Sequence, residues 1–198
     1  MSGFLSGLGG GGADFDSYDE FVPAHLPEPG PFLTDQEVLT GRDHAAVHRL
    51  ARMLFEDRGV YDVTFGYNLA RLNLDRRHTG AGFRYAVERA STEGDSEGES
   101  GAGVDAPVLR AEFTPTTEFC PQGDTLAIGA FRAFNGELRY HQFDLVRVRV
   151  DETHQESESV NGTLEQLEAT FEATGQIRAD VGADDASVPT ERGTDAPF

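Results

Sequence analysis

Apolar residues recur at helical spacing over Asp43–Arg58, where Val47, Leu50, Ala51, Leu54 and Phe55 share one stripe. Asp43 is placed to cap this helix and Gly59 to end it. The period then changes. Over Tyr61–Leu72, Val63, Phe65, Tyr67 and Leu69 alternate with Asp62, Thr64 and Asn68, the pattern of a half-buried strand. After a polar turn at Asp75–Gly82, Phe83–Glu88 alternates again, so the two runs are expected to pair as a hairpin. Val108–Phe113 reads as a strand and Pro121–Phe134 as a helix. Leu126, Ile128, Ala130, Phe131, Ala133 and Phe134 lie on most sides of that helix, which implies burial. Phe143–Val150 is a further strand, with Val146, Val148 and Val150 on one face and Arg147 and Arg149 on the other. Asp151–Thr174 closes the pattern with a helix. Thr153 and Glu156 have capping-box spacing, Val160, Leu164, Leu167 and Phe171 form a narrow apolar stripe, and Glu158, Glu165, Glu168 and Glu172 are expected in water.

The flanks lack such patterns. Residues 1–33 are Gly-rich, then acidic and aromatic (Phe15, Tyr18, Phe21), then Pro-rich, and read as a disordered or loosely docked arm. Ser91–Ala106 is acidic and glycine-rich and reads as a flexible insertion, and residues 175–198 as a disordered acidic tail. The single domain expected over residues 34–174 is large enough for one proper core. Its element order is α-β-β-(β)-α-β-α.

Charge adds the next constraint. Asp and Glu total 35, the 16 basic residues are all Arg, and the formal net charge is −19. At molar salt the Debye length falls to about 3 Å and most of the self-repulsion is screened. A Lys-free acidic chain therefore reads as adapted to a salty cytoplasm, as in halophilic archaea. The balance argues against a nucleic-acid partner, which calls for a basic face. Residues 1–12 hold six glycines and no basic segment, a poor signal peptide. No apolar run approaches the roughly 18 residues of a membrane span. A cytoplasmic protein without a membrane partner is the expectation.

Candidate chemistry centres on the single cysteine, Cys120, between the strand ending at Phe113 and the helix expected from Pro121. Pro at the first helical position would put Cys120 at the N-cap, facing unpaired amides and the positive end of the helix dipole. A thiol there tends toward a lowered pKa and becomes a better nucleophile and metal ligand. Asp124, in the first turn, opposes a thiolate. The competing view of a lone Cys is a small buried hydrophobe. His44 and His48 stand four apart on one helix, but no zincin glutamate or third ligand accompanies them.

Two stretches together resemble the metal–sulfur cluster assembly factor family, which includes eukaryotic cytosolic iron–sulfur targeting subunits and bacterial SufT-like and PaaD-like proteins. The first runs Phe113-Thr114-Pro115-Thr116, then Cys120, Thr125-Leu126 and Ile128-Gly129. The second is Thr153-His154, followed by Glu158, Val160-Asn161 and Leu164. They occur in the family's order, with His154 34 positions after Cys120. The chain departs from the family in one extra residue near Gly123, in Thr117-Glu118-Phe119 before the cysteine, and in acids where a basic stretch often follows Val-Asn. Together with the periodicity, the resemblance implies an α/β (α+β) fold, a small mixed sheet of three to five strands packed by about three helices.

Members of that family help deliver iron–sulfur clusters to apo-proteins. The resemblance thus implies an adaptor without intrinsic catalysis, with Cys120 as a transient cluster ligand or partner thiolate and His154 as a second candidate. Pro115, Thr116, Pro121, Thr125, Thr153 and Asn161 would form the structural motif around them. Clusters are usually held by four thiolates. One chain supplies one, so iron–sulfur carriers or scaffolds and apo-protein clients are the expected partners, and a homodimer is allowed. The alternatives are a thiol enzyme with Cys120 as nucleophile and His154 or His141 as base, or a non-catalytic interaction module.

Overall fold

A computed structural model of the chain describes residues 14–89 and 107–177. The expectations for residues 1–13, for the acidic insertion Ser91–Ala106 and for residues 178–198 lie outside the described residues. In chain order the regular elements are α1 (Pro31–Thr34), β1 (Glu37–Val38), α2 (Gly41–Arg58), β2 (Tyr61–Asp62), β3 (Tyr67–Asn68), β4 (Gly82–Val87), β5 (Val108–Thr114), α3 (Gly123–Asn135), β6 (Leu145–Val150) and α4 (Ser157–Thr174). Four strands form a mixed sheet in the order β1-β4-β5-β6. β4 runs antiparallel to β1 and β5, and β5 is parallel to β6, with α3 as the crossover. This is the small α+β fold that the periodicity and the resemblance implied.

The alternation in the strands sets the two faces of the sheet. Phe83, Tyr85, Leu109, Ala111, Phe113, Val146, Val148 and Val150 are all buried in one core with α2, α3 and α4. The opposite face carries Arg84, Arg110, Glu112, Arg147 and Arg149. There Phe32 of α1 lies 4.8 Å from the Arg110 guanidinium and 5.2 Å from that of Arg149. Arg147 reaches Glu88, Glu168 and Glu172. Glu168, expected in water, is buried because Arg147 and Arg149 both bind it.

β6 would be an open edge, and side chains close it. Asn135 brackets Val146 through the backbone N–H and C=O, both at 2.8 Å. Asn161 does the same to Val150 at 2.7 and 2.9 Å, and Arg149 donates to the Val148 carbonyl. An edge so occupied cannot template pairing with another chain.

Several sequence expectations need correction. The strand expected over Tyr61–Leu72 is instead a two-residue hairpin followed by a 3-10 helix at Leu69–Leu74. Side chains compete for the backbone here: Asp62 Oδ1 accepts from the Thr64 and Phe65 amides, and Asn68 Oδ1 from that of Ala70. Gly66, at φ 68°, completes the turn. Phe83–Glu88 accordingly pairs with β1 and β5, not with that segment. Thr40, not Asp43, occupies the N-cap of α2, although Gly59 ends it in the left-handed conformation as expected. The Thr153–Glu156 capping box is not formed; Asp151 Oδ1 accepts from both the amide and the hydroxyl of Thr153.

The arm also differs from its expectation, since residues 14–30 are packed on the domain. The Asp16 amide donates to Leu74 O and the Arg76 amide to Asp14 O. Phe15 meets Tyr67 edge-on at 6.0 Å, Tyr18 stacks on His48 at 5.8 Å, and Phe21 lies 5.1 Å from His44. Three rings at a spacing of three residues supply the apolar area that aliphatic content would not suggest.

Candidate functional site

The loops after β5 and β6 both leave the carboxyl ends of parallel strands, where open α/β sheets commonly place ligands. They are joined there. The Asp151 amide donates to Phe113 O at 2.9 Å, and the Gln155 amide to Glu118 O at 2.8 Å. His154, 3 % exposed, places Nε2 3.1 Å from the Cys120 carbonyl. Its Nδ1 accepts from the Glu156 amide at 3.3 Å, so Nε2 carries the proton and donates to Cys120 O. The two residues singled out in the sequence are therefore adjacent, but the imidazole grips the backbone of Cys120.

Gly123 makes that contact feasible. A Cβ at this position would stand 2.9 Å from His154 Nε2, too close for any other residue without displacement. Two successive turns, Thr117 O to the Cys120 amide and Cys120 O to the Gly123 amide, delay the helix. α3 consequently begins at Gly123 with Gln122 at the N-cap, so Cys120 is not the N-cap and Pro121 is not the first helical residue. Gln122 instead ties the loop to the β2–β3 turn, accepting from the Val63 amide and donating to Thr64 Oγ1.

The sulfur is half-buried. Burial pushes its pKa above the ordinary 9.0, and Asp62 and Asp124 push the same way, against the opposing Gln122 and Gly123 amides. The lowered value expected from an N-cap position is thus overturned. The thiol rests protonated at neutral pH. Phe119, 62 % exposed, and Val63, 78 % exposed, border the same loop and give it an apolar rim.

The remaining predicted residues divide by place. Pro115 is buried and Thr116 half-buried in the loop after β5; Pro121 and Thr125 are exposed beside it. Thr153 orders the loop after β6 through Asp151, and Asn161 holds the strand end. His141 lies elsewhere, with Nε2 on Phe134 O and Nδ1 accepting from the Phe143 amide. His44 and His48 are buried and packed with aromatic rings, and their pKa values fall to about 3 and about 4, chiefly through burial. His48 is bonded through both nitrogens, to Tyr85 Oη and Ala70 O. Among the described residues no three His, Cys, Asp or Glu side chains cluster as a metal site.

One group escaped the sequence reading. Glu112, 3 % exposed, lies on the polar face of the sheet, where the Gly30 amide donates to it at 2.6 Å. Burial lifts its pKa to about 7, assisted by Asp151 and Glu152 and opposed by the Gly30 and Phe32 amides. Only its acidic type in a strand of otherwise mixed pattern hinted at this.

Fold and site together define a small α+β domain with a thiol-bearing loop at the carboxyl ends of two parallel strands. Residues 13–178 match a family model described as a domain of unknown function, DUF7998, and the chain belongs to that family. No curated protein and no solved structure matches it.

Proposed function

We propose that the protein is an iron–sulfur cluster targeting adaptor whose Cys120 thiolate takes a cluster, or a partner's sulfur, transiently during transfer to an apo-protein. The observation that carries this reading is the joining of the Cys120 and His154 loops, which holds the half-buried Cys120 on a loop that also carries the exposed Phe119. The residues fit a cluster as cargo, not as a resident group. One thiol per chain is one donor of the usual four, so a carrier, client or second copy must complete the coordination. The raised thiol pKa suits brief holding, because a coordinating thiol must first lose its proton and affinity at neutral pH is reduced accordingly. The bordering Phe119 and Val63 supply the apolar contact for a protein partner.

His154 acts as a positioning residue. It fixes the Cys120 backbone by donating to the carbonyl, and with that proton engaged it is poorly placed to serve as base toward the sulfur. A thiol-enzyme reading therefore draws less support from this geometry than an adaptor reading.

Anaerobic reconstitution with iron and sulfide in the presence of a thiol carrier, followed by transfer to an apo-ferredoxin, tests the proposal. Wild-type chain should accelerate transfer and Cys120→Ala should not. Equal transfer by the two would overturn the role of the sulfur, and burst release from a thioester substrate would favour the enzyme.

A further inference from the structure

The chain between α2 and β2 lies beside one face of α3, and the two enclose an open groove of about 540 Å³. That volume falls within the range of small-molecule sites, about 300–1,000 Å³. Val60, Leu126 and Ile128 contribute apolar wall, and Thr125 and Tyr61 are exposed hydroxyl residues along it. Gly129 keeps the helix face flat: a Cβ there would already stand 3.3 Å from Val60. Glycine inside a helix costs about 1 kcal/mol relative to Ala, so a close approach is the economical explanation for its presence.

Arg132 sets the chemistry. Nearly every other described arginine is engaged: by carboxylates (Arg49, Arg58, Arg76, Arg77, Arg110, Arg139, Arg147, Arg149) or by rings and carbonyls (Arg52, Arg71, Arg84). Arg42 and Arg89 are exposed to water. Arg132 alone is partly buried, lines the groove and has no partner among the described residues; its Nε is buried without an acceptor. A buried donor left unpaired costs about 1–3 kcal/mol. Arg58 borders the same groove but is bound to Glu137 at 2.8 Å and to Gly136 O. Among the described residues no carboxylate pairs with this cation, in a chain that carries 35 acids.

We infer that this groove binds a small organic anion, its carboxylate or phosphate on the Arg132 guanidinium and its apolar body against Val60, Leu126 and Ile128. Asp124, at the far end of the helix face, disfavours a second negative group there. Cys120 does not line this groove, although Asp124 and Thr125 at its end adjoin the Cys120 loop, and the inference does not rest on the adaptor reading.

Titration of the full chain in molar KCl, followed by amide chemical shifts, tests it with phenyl phosphate, benzoate, inorganic phosphate and benzylamine. Phenyl phosphate or benzoate should saturate with Kd near or below about 1 mM, moving amides of residues 59–61 and 124–132. Inorganic phosphate should bind more weakly, and benzylamine not at all. Arg132→Gln should weaken binding at least about tenfold, whereas Arg42→Gln leaves it unchanged. Ile128→Trp should block the groove while providing a fluorophore in a chain that has no tryptophan. Absence of saturation by both aromatic anions, a shift map elsewhere, equal loss in Arg42→Gln, or equal binding of benzylamine would overturn the assignment. The wild-type map decides the matter even should Arg132→Gln fold poorly.

Discussion

Glu112 makes the stability of this protein depend on pH near neutrality, and Glu112→Gln should remove that dependence. The carboxyl is enclosed by the Gly30 segment, the end of β6 and the sheet, with Asp151 and Glu152 as acidic neighbours and Arg84 on the adjacent strand. Its pKa rises from 4.5 to about 7 on folding, chiefly through burial. A carboxyl raised in this way favours folding fully below its unfolded value, and the contribution is lost as pH climbs through about 7. The full shift corresponds to about 3 kcal/mol, and residual solvent screening at the carboxyl lowers the expectation to about 2 kcal/mol. Glutamine keeps an acceptor for the Gly30 amide and cannot ionise. Urea unfolding at fixed molar KCl should therefore find variant and wild type within about 1 kcal/mol at pH 5. By pH 8.5 the variant should be the more stable by about 2 kcal/mol. Taking the difference cancels the carboxylates that titrate alike in both chains. A constant difference across pH, or one that moves in favour of the wild type as pH rises, would refute the reasoning.

Other outcomes follow from the same contacts. His154→Ala removes the side-chain donor to the Cys120 carbonyl, which keeps only the Gly123 amide, and leaves the Glu156 amide without its acceptor; a loss of about 1–3 kcal/mol in thermal or urea unfolding is expected, with faster alkylation of Cys120 by iodoacetamide as its loop loosens. Alkylation of wild-type Cys120 at pH 7 should be slower than that of a free thiol, and a faster rate would contradict the burial of the sulfur. Asn161→Leu strips two bonds from Val150 and reopens the β6 edge, so about 2 kcal/mol of destabilisation should come with concentration-dependent association in light scattering. Dilution from molar KCl into low salt should lower the unfolding midpoint, because a formal charge of −19 is then poorly screened.

Helical spacing over Asp43–Arg58 and at Val160, Leu164, Leu167 and Phe171, together with the alternation of Val and Arg in β6, was enough to place the main helices and the two-faced sheet. These patterns are legible because each element buries one face and a face is a local period. The Cys120 turn was legible too, as a strand–Pro–Cys–helix succession. Its register was not: Gly123, not Pro121, begins the helix, because two successive turns delay it and His154, arriving from the loop after β6, takes the space a Cβ at position 123 would fill. Tyr61–Leu72 misled for a related reason, since Asp62 and Asn68 capture nearby amides more favourably than a ladder would.

What the residues determine alone is the sequence of elements, the side each turns inward, and a solitary thiol between a strand and a buried helix. Tertiary structure decided the rest: that Phe15, Tyr18 and Phe21 anchor the arm, that His154 holds the carbonyl of Cys120, that the thiol is made more basic and that Glu112 is lifted toward neutrality. The physical reason is common to all four. Periodicity is written within a few turns of chain, whereas desolvation and hydrogen-bond partners depend on segments tens of residues apart arriving at one place.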